Sequence, residues 1–275
     1  MFNEKWRRLP NYAEDTKFFY KKWYLNRYGY KTEKGLKNFL KDKAVIMDAG
    51  CGMARDAKLF KKLNPNSFVV AVDQSPYAVK AAKEYLKDCI NYEVVRGDIT
   101  TIDFPTKLFD FISCDQVMHH TPNPNKTLKH FMSLLAKGGV VNFSVCKKRN
   151  KYRNFVDDVI MQHGRTMTPK ALWDFSIEVT KFAKALYELD IKNKKFEGKT
   201  YKNIQRFVHD HLFRCWYHPD ISFELSVCQT YDWFSGNPRF SKAEVKQEIL
   251  KGLPKYKLLR MYEDNATISV SLKKL

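Results

Sequence analysis

Hydrophobic and polar positions alternate in two different ways along this chain. Between residues 44 and 146, short apolar runs are separated by stretches of helical spacing. The runs are Ala44–Met47, Phe68–Val72, Tyr92–Val95, Phe109–Cys114 and Val140–Val145. Near-continuous hydrophobicity of this kind suits parallel strands covered on both faces. Between them, Ser75-Pro76 and Asn123-Pro124 each read as an N-cap followed by proline at the first helical position. Leu128, Phe131 and Leu135 continue the second helix at core spacing, and Gly138-Gly139 stops it before the next strand. Strand–helix alternation predicts an α/β fold with a doubly wound, mostly parallel sheet.

The flanks read differently. Residues 1–43 are polar and aromatic, with the spacing of one or two short helices packed on the core. Residues 147–228 are polar, lean to helix and are poor in strand patterns. Thr168-Pro169 opens a predicted helix to about Leu189, and a shorter one is expected over Tyr201–Phe213. Residues 229–275 begin with the last helical turns. Ser241-x-x-Glu244 then reads as a capping box for a helix ending near Gly252, and Tyr256–Met261 with Thr267–Leu272 reads as a hairpin. Four segments are therefore expected: an N-terminal helical segment at 1–43, a core at 44–146, a helical insertion at 147–228, and a helix plus hairpin at 229–275 completing the sheet.

Composition narrows the class. With 275 residues, 44% hydrophobic and 15% aromatic, the chain can bury a sizeable core. The six cysteines are scattered without a CxxC pair, which points away from a disulfide framework or a zinc site, so no metal is expected. No apolar run approaches the roughly 20 residues that span a bilayer. The start of the chain lacks the apolar stretch of a signal peptide, so a cytoplasmic setting and no membrane partner are expected. The net charge of +19 raises the question of nucleic acid. Lysine supplies 37 of the 49 basic residues and arginine 12, whereas base and phosphate readout favours arginine.

The first strand runs into Asp48-Ala49-Gly50-Cys51-Gly52-Met53-Ala54-Arg55. Glycines in a strand-to-helix turn let a ligand approach the backbone, and the helix N-terminus leaves N–H donors. The second strand ends in Asp73, where a carboxylate is placed to accept ribose hydroxyls. The third ends in Gly97-Asp98-Ile99. There is no GxGxxG and no Lys-Ser/Thr phosphate loop, which favours a nucleoside without phosphates.

These residues resemble a class I S-adenosylmethionine-dependent methyltransferase of the small-molecule type. The resemblance rests on Asp-x-Gly-x-Gly after strand one, the acid closing strand two, Gly-Asp after strand three and Gly-Gly before strand five. The stretch Val117-Met118-His119-His120-Thr121-Pro122-Asn123-Pro124 after strand four adds to it. It covers 44–146 closely and continues loosely through Asp232-Trp233-Phe234-Ser235 to the end. It implies a Rossmann-like, seven-stranded sheet with an antiparallel C-terminal strand and a helical cap. It implies S-adenosyl-L-methionine held by Asp48, Gly50, Cys51, Gly52, Asp73, Gln74, Asp98, Ile99 and Asp115. The usual third glycine is Ala54 here.

In-line methyl transfer needs orientation, exclusion of water and a base when the nucleophile carries a proton. His119 and His120, just after strand four, are the candidates, with Asp115 as an orienting carboxylate. Tyr217, Tyr231 and Trp233 are candidate substrate-pocket walls, and Tyr12, Tyr20 and Tyr24 are candidates to close over the cofactor. The same aromatics are equally readable as core. His209-x-His211 on a helix does not share a face, which argues against a metal pair.

The leading expectation is methyl transfer to a small metabolite, a sugar or biosynthetic intermediate, by a soluble enzyme. The alternatives are an RNA methyltransferase using the basic surface and a cofactor-binding module that no longer transfers. The first 43 residues carry 12 basic and 5 acidic side chains, the core 12 and 10, the insertion 16 and 10, and the last 47 residues 9 and 5. The excess is spread over the additions while the core is nearly balanced. That pattern disfavours a dedicated nucleic-acid arm and leaves room for an anionic substrate.

Overall fold

The computed structural model describes residues 2–9, 11–189, 194–196, 199–201 and 203–275. Its strands are β1 (Val45–Ala49), β2 (Phe68–Asp73), β3 (Tyr92–Arg96), β4 (Phe109–Cys114) and β5 (Leu135–Lys147). There follow β6 (Lys194–Phe196), β7 (Lys199–Tyr201), β8 (Arg239–Phe240), β9 (Tyr256–Glu263) and β10 (Thr267–Lys274). The chain divides into two units, one of residues 10–147 and 238–275 and one of residues 1–9 and 148–237.

The first unit is built on a sheet in the order β3-β2-β1-β4-β5-β10-β9, with β8 pairing the end of β5. The pairs β1–β2, β1–β4, β2–β3 and β4–β5 are parallel, and β10 runs antiparallel to both its neighbours. The apolar runs become strands because both faces are covered. Ile46, Val69, Ala71 and Phe111 face Leu36, Leu40, Ala57 and Phe60 on one side. Met47, Val70, Ile112, Val141 and Phe143 face Leu128, Phe131, Val245 and Ile249 on the other. Each such side chain, fully buried, contributes about 1.5–3 kcal/mol.

The predicted caps are present. Ser75 and Asn123 accept from the backbone N–H groups of Ala78 and Lys126, each with proline at the start of its helix. Ser241 and Glu244 form the capping box in full, and Gly252 follows with φ of +64°. Two expectations shift. The helix ends at Leu134, and β5 already begins at Leu135. Gly138, left-handed, therefore lies inside β5, at a bulge where the β4–β5 register jumps between Phe109 and Phe111. The helix after Ser241 tightens only at its start, running Lys242–Glu244 before a wider turn over Val245–Ile249.

The second unit contains helices Phe2–Arg8, Lys151–Thr166, Pro169–Glu188, Ile204–His211 and Phe223–Phe234. The expected boundaries at 43 and 228 move. Helix Phe223–Phe234 runs through 228, and its Ser226, Val227, Thr230, Tyr231 and Phe234 are buried. A continuous buried face cannot be cut between two segments. Asp232 holds Lys5 at 2.5 Å, which brings the first helix into this unit. Helix Lys151–Thr166 approaches the end of that helix so closely that a Cβ on Gly164 would sit 2.4 Å from the Phe234 carbonyl oxygen. The hairpin β6–β7 was not legible in a segment that reads as helical.

Candidate functional site

The sheet order places a switch point between β1 and β4, where connections leave in opposite directions. Ligands of open α/β sheets bind outside the carboxyl ends of the strands at such a point. The glycine turn after β1 and the loop after β4 meet there. Gly50 has φ of +75°, and a Cβ on it would lie 2.4 Å from Cγ1 of Val117. Only glycine permits both that conformation and that approach.

Backbone and carboxylate bonds fix the turn. The N–H groups of Gly50 and Cys51 both donate to the Val72 carbonyl, at 2.8 and 2.9 Å. Asp73 accepts from the Gly52 N–H at 2.9 Å through one oxygen and from the Ser75 N–H at 2.9 Å through the other. The acid at the end of β2 therefore ties the glycine turn to the next helix cap, and it remains half-buried. Asp48 is buried and accepts from the Ala57 N–H at 2.9 Å, anchoring the helix that starts at Arg55. Burial, with Asp56 nearby, pushes its carboxyl well above the usual range. Ala54 stands at the helix cap with φ of +61°, taking the left-handed conformation usual for glycine without being one.

The other expected cofactor contacts are spread along the same edge. Gln74 is exposed beside Asp73, Asp98 is exposed and accepts from the Thr100 N–H, and Ile99 is buried in the core. The Cys51 thiol donates to the Gly52 carbonyl. Asp115 is different. Its carboxylate accepts from the Tyr28 hydroxyl at 2.8 Å and the Ser144 hydroxyl at 2.9 Å, and Arg27 Nη1 lies 3.6 Å away. Those bonds turn it toward the helix Tyr12–Arg27 and β5, so it orients neither histidine through a described hydrogen bond.

His119 and His120 sit on a short turn, Met118–His120, with ring centroids 4.2 Å apart. His119 is buried and His120 half-buried. Just before them Gln116 adopts φ of +58°, and its amide nitrogen is buried with no hydrogen-bond partner. A strained non-glycine residue with an orphaned donor, at the switch point, marks a place built for a ligand acceptor. Sequence reasoning passed over Gln116, and no residue pattern around it carries that signal.

The expected aromatic roles divide. Tyr24 is buried, with its hydroxyl 3.0 Å from that of Ser113, so it packs in the core. Tyr12 and Tyr20 are hydroxyl-bonded to each other, and Arg55 of the glycine-turn helix stacks 4.3 Å over the Tyr20 ring. In the other unit Tyr231 is buried against Trp173, Tyr217 lies beside Tyr187, and Trp233 borders Arg153 and Arg214.

A family model described as a methyltransferase domain matches residues 40–209. An uncharacterised chloroplastic methyltransferase from Arabidopsis thaliana is 26% identical over 102 residues, 35% of this chain and 29% of that protein. The ubiquinone biosynthesis O-methyltransferase of Coxiella burnetii is 26% identical over 185 residues, 63% of this chain and 76% of the enzyme. Among solved structures, PKMT2 from Rickettsia typhi in complex with AdoHcy aligns with a TM-score of 0.56 and 16% identity, over 85% of this chain and 49% of that one. The chain thus spans under a third of the first relative and about half of the last. No described helix is long and apolar enough to cross a membrane.

Proposed function

This chain belongs to the methyltransferase-domain family, and from that membership we propose that it methylates a small metabolite, a sugar or a biosynthetic intermediate, with a histidine as base. It is an S-adenosylmethionine-dependent enzyme of the class I fold. When bound, S-adenosylmethionine supplies a methyl group already activated by the positive charge on its sulfur.

The residues at the switch point fit that cofactor. Gly50 and Gly52 give the close backbone approach, and Asp73, held by two backbone bonds, is a preoriented acceptor for ribose hydroxyls. Gln74, Asp98 and Ile99 follow along the edge, where a nucleoside base would lie. The unpartnered amide of Gln116 offers a donor to a cofactor or substrate oxygen. Cys51 lies in the turn itself. Asp48 and Asp115 act as positioning residues, one through Ala57 and one through Tyr28, Ser144 and Arg27.

For the proton, we assign the base to His120. It keeps partial access, whereas His119 is buried in the wall of the same turn. Its imidazole takes the proton of a hydroxyl or ammonium nucleophile as the methyl group moves in line. Tyr217, Tyr231 and Trp233 remain assigned to the substrate side, in the unit that carries residues 148–237. The name of the Coxiella burnetii relative supports a small substrate.

The observation that carries this reading is the pair of bonds from Asp73 to Gly52 and Ser75. The test is transfer of labelled methyl groups from S-adenosylmethionine into an extract of small metabolites. The full-length protein should label a small product. Asp73→Ala should weaken cofactor binding about 10- to 100-fold, the worth of charge-assisted hydrogen bonds, with labelling falling in step. Equal labelling by both proteins would sink the proposal.

A further inference from the structure

The unit of residues 148–237 gathers four arginines around one histidine. Arg149 precedes helix Lys151–Thr166, Arg153 is on it, Arg206 is on helix Ile204–His211, and Arg214 follows that helix. All four act on His209, which is 1% exposed. Desolvation first and then these charges push its imidazole well below its ordinary range, so it is neutral. Asp157 pairs with Arg153 at 2.6 Å and accepts from the Arg214 N–H at 3.1 Å. Asp210 pairs with Arg206 at 2.9 Å. Arg149 makes no ion pair among the described residues. Burial beside like charges lowers its guanidinium to about 10.

Four buried polar atoms of this cluster have no hydrogen-bond partner among the described residues: Arg149 Nε, His209 Nδ1, Asp210 Oδ1 and Trp216 Nε1. The His209 and Trp216 rings lie 5.1 Å apart, and Arg214 lies over the Trp216 ring at 5.2 Å. Folded proteins leave few such groups unmet, and each costs about 1–3 kcal/mol. Buried guanidinium charge is costly without a counter-charge. Two carboxylates stand bonded among four guanidiniums, which leaves room for about two negative charges. The donors on Arg149 and Trp216 want an anionic oxygen, and Asp210 Oδ1 wants a hydroxyl.

We propose that this cluster binds a phosphate monoester with a neighbouring hydroxyl, such as a phosphorylated sugar or polyol. A phosphate monoester carries a charge of about −1.5 to −2 at pH 7 with three acceptor oxygens, and guanidinium groups match its geometry in bidentate fashion. A diester or a single carboxylate carries one charge and leaves the excess unmet. The site stands on this unit's own residues and does not rest on methyl transfer.

The test is calorimetric titration of the full-length protein with glycerol phosphate, inorganic phosphate, dimethyl phosphate and acetate, at low salt and pH 7.5. Glycerol phosphate and inorganic phosphate should bind, and dimethyl phosphate and acetate should bind at least tenfold more weakly. Arg149→Gln should weaken glycerol phosphate at least tenfold while its circular dichroism and melting temperature stay near those of the parent. Lys181→Gln, on an exposed position of the same unit, should leave binding unchanged. No binding of either monoester probe, equal binding of the monoanions, an unchanged Arg149→Gln affinity or an equal loss in Lys181→Gln would each overturn the proposal.

Discussion

Gly50 and Ala54 show how much one methyl group decides at the glycine turn. Both positions are left-handed, at φ of +75° and +61°. At Gly50 a Cβ would meet Val117, whereas Ala54 keeps its Cβ fully buried among the residues packed beneath the sheet. A left-handed L-residue costs roughly 1–2 kcal/mol, and a buried methyl returns about 0.8 kcal/mol. Those terms nearly cancel at Ala54, which is why this chain can depart from a third glycine without losing the turn. They add at Gly50. Gly50→Ala is expected to cost about 2–4 kcal/mol, strain and overpacking together. Val117→Ala in the same chain should recover the overpacking share and leave the strain. Urea unfolding of the single and double variants measures both. A Gly50→Ala variant as stable as the parent would mean that the turn and the β4 loop do not meet this closely.

At the scale of elements, the helix Tyr12–Arg27 is tied to the sheet by its last residues. Arg27 is buried, 3.6 Å from Asp115 and 3.0 Å from Asp264 in the turn between β9 and β10. Burial raises the Asp264 carboxyl, but Arg27 and the N–H groups of Ala266 and Thr267 outweigh it, and the net shift is downward. A carboxylate depressed in the folded state stabilises above its unfolded value, near 3.9, and loses that contribution as pH falls through the folded value. Asp264→Asn should therefore cost about 1–3 kcal/mol at pH 7, and the gap from the parent should close on acidification below pH 4. Thermal unfolding at pH 7, 5 and 3.5 measures it, and a gap that widens on acidification would contradict it. Such ties were not legible beforehand. The apolar runs 44–146 announced the strands because burial on both faces leaves a continuous signature. Ser75-Pro76, Asn123-Pro124 and Ser241-x-x-Glu244 announced the helix starts because capping is local chemistry. Arg27, Tyr28 and Ser144 meet Asp115 across 29 to 88 positions, and nothing in their own neighbourhoods records it. The boundary expected at 228 failed for a related reason: helix Phe223–Phe234 is apolar almost all round, so its pattern did not say which neighbours it joins.

For the whole molecule, the charge of +19 is a matter of distribution. The core segment 44–146 has 12 basic and 10 acidic residues, and the excess is divided among the segments around it. Much of it is compensated locally by exposed pairs such as Lys170–Asp174 and Lys181–Glu178, and such pairs are worth little. A spread cationic surface draws polyanions without selecting among them, because counterion release depends on the number of phosphates met and carries no sequence information. The arginines that suit selective recognition are instead drawn inward, four of the twelve around His209. Single-stranded RNA should therefore associate weakly at 50 mM salt and lose at least about tenfold in affinity by 200 mM. Labelled methyl incorporation into that RNA should stay at the level seen without enzyme at either salt. Filter binding and acid-precipitable label measure the two quantities on one sample. Incorporation that survives 200 mM salt would mean that the basic surface guides a substrate, and it would move the reading from small metabolites to RNA.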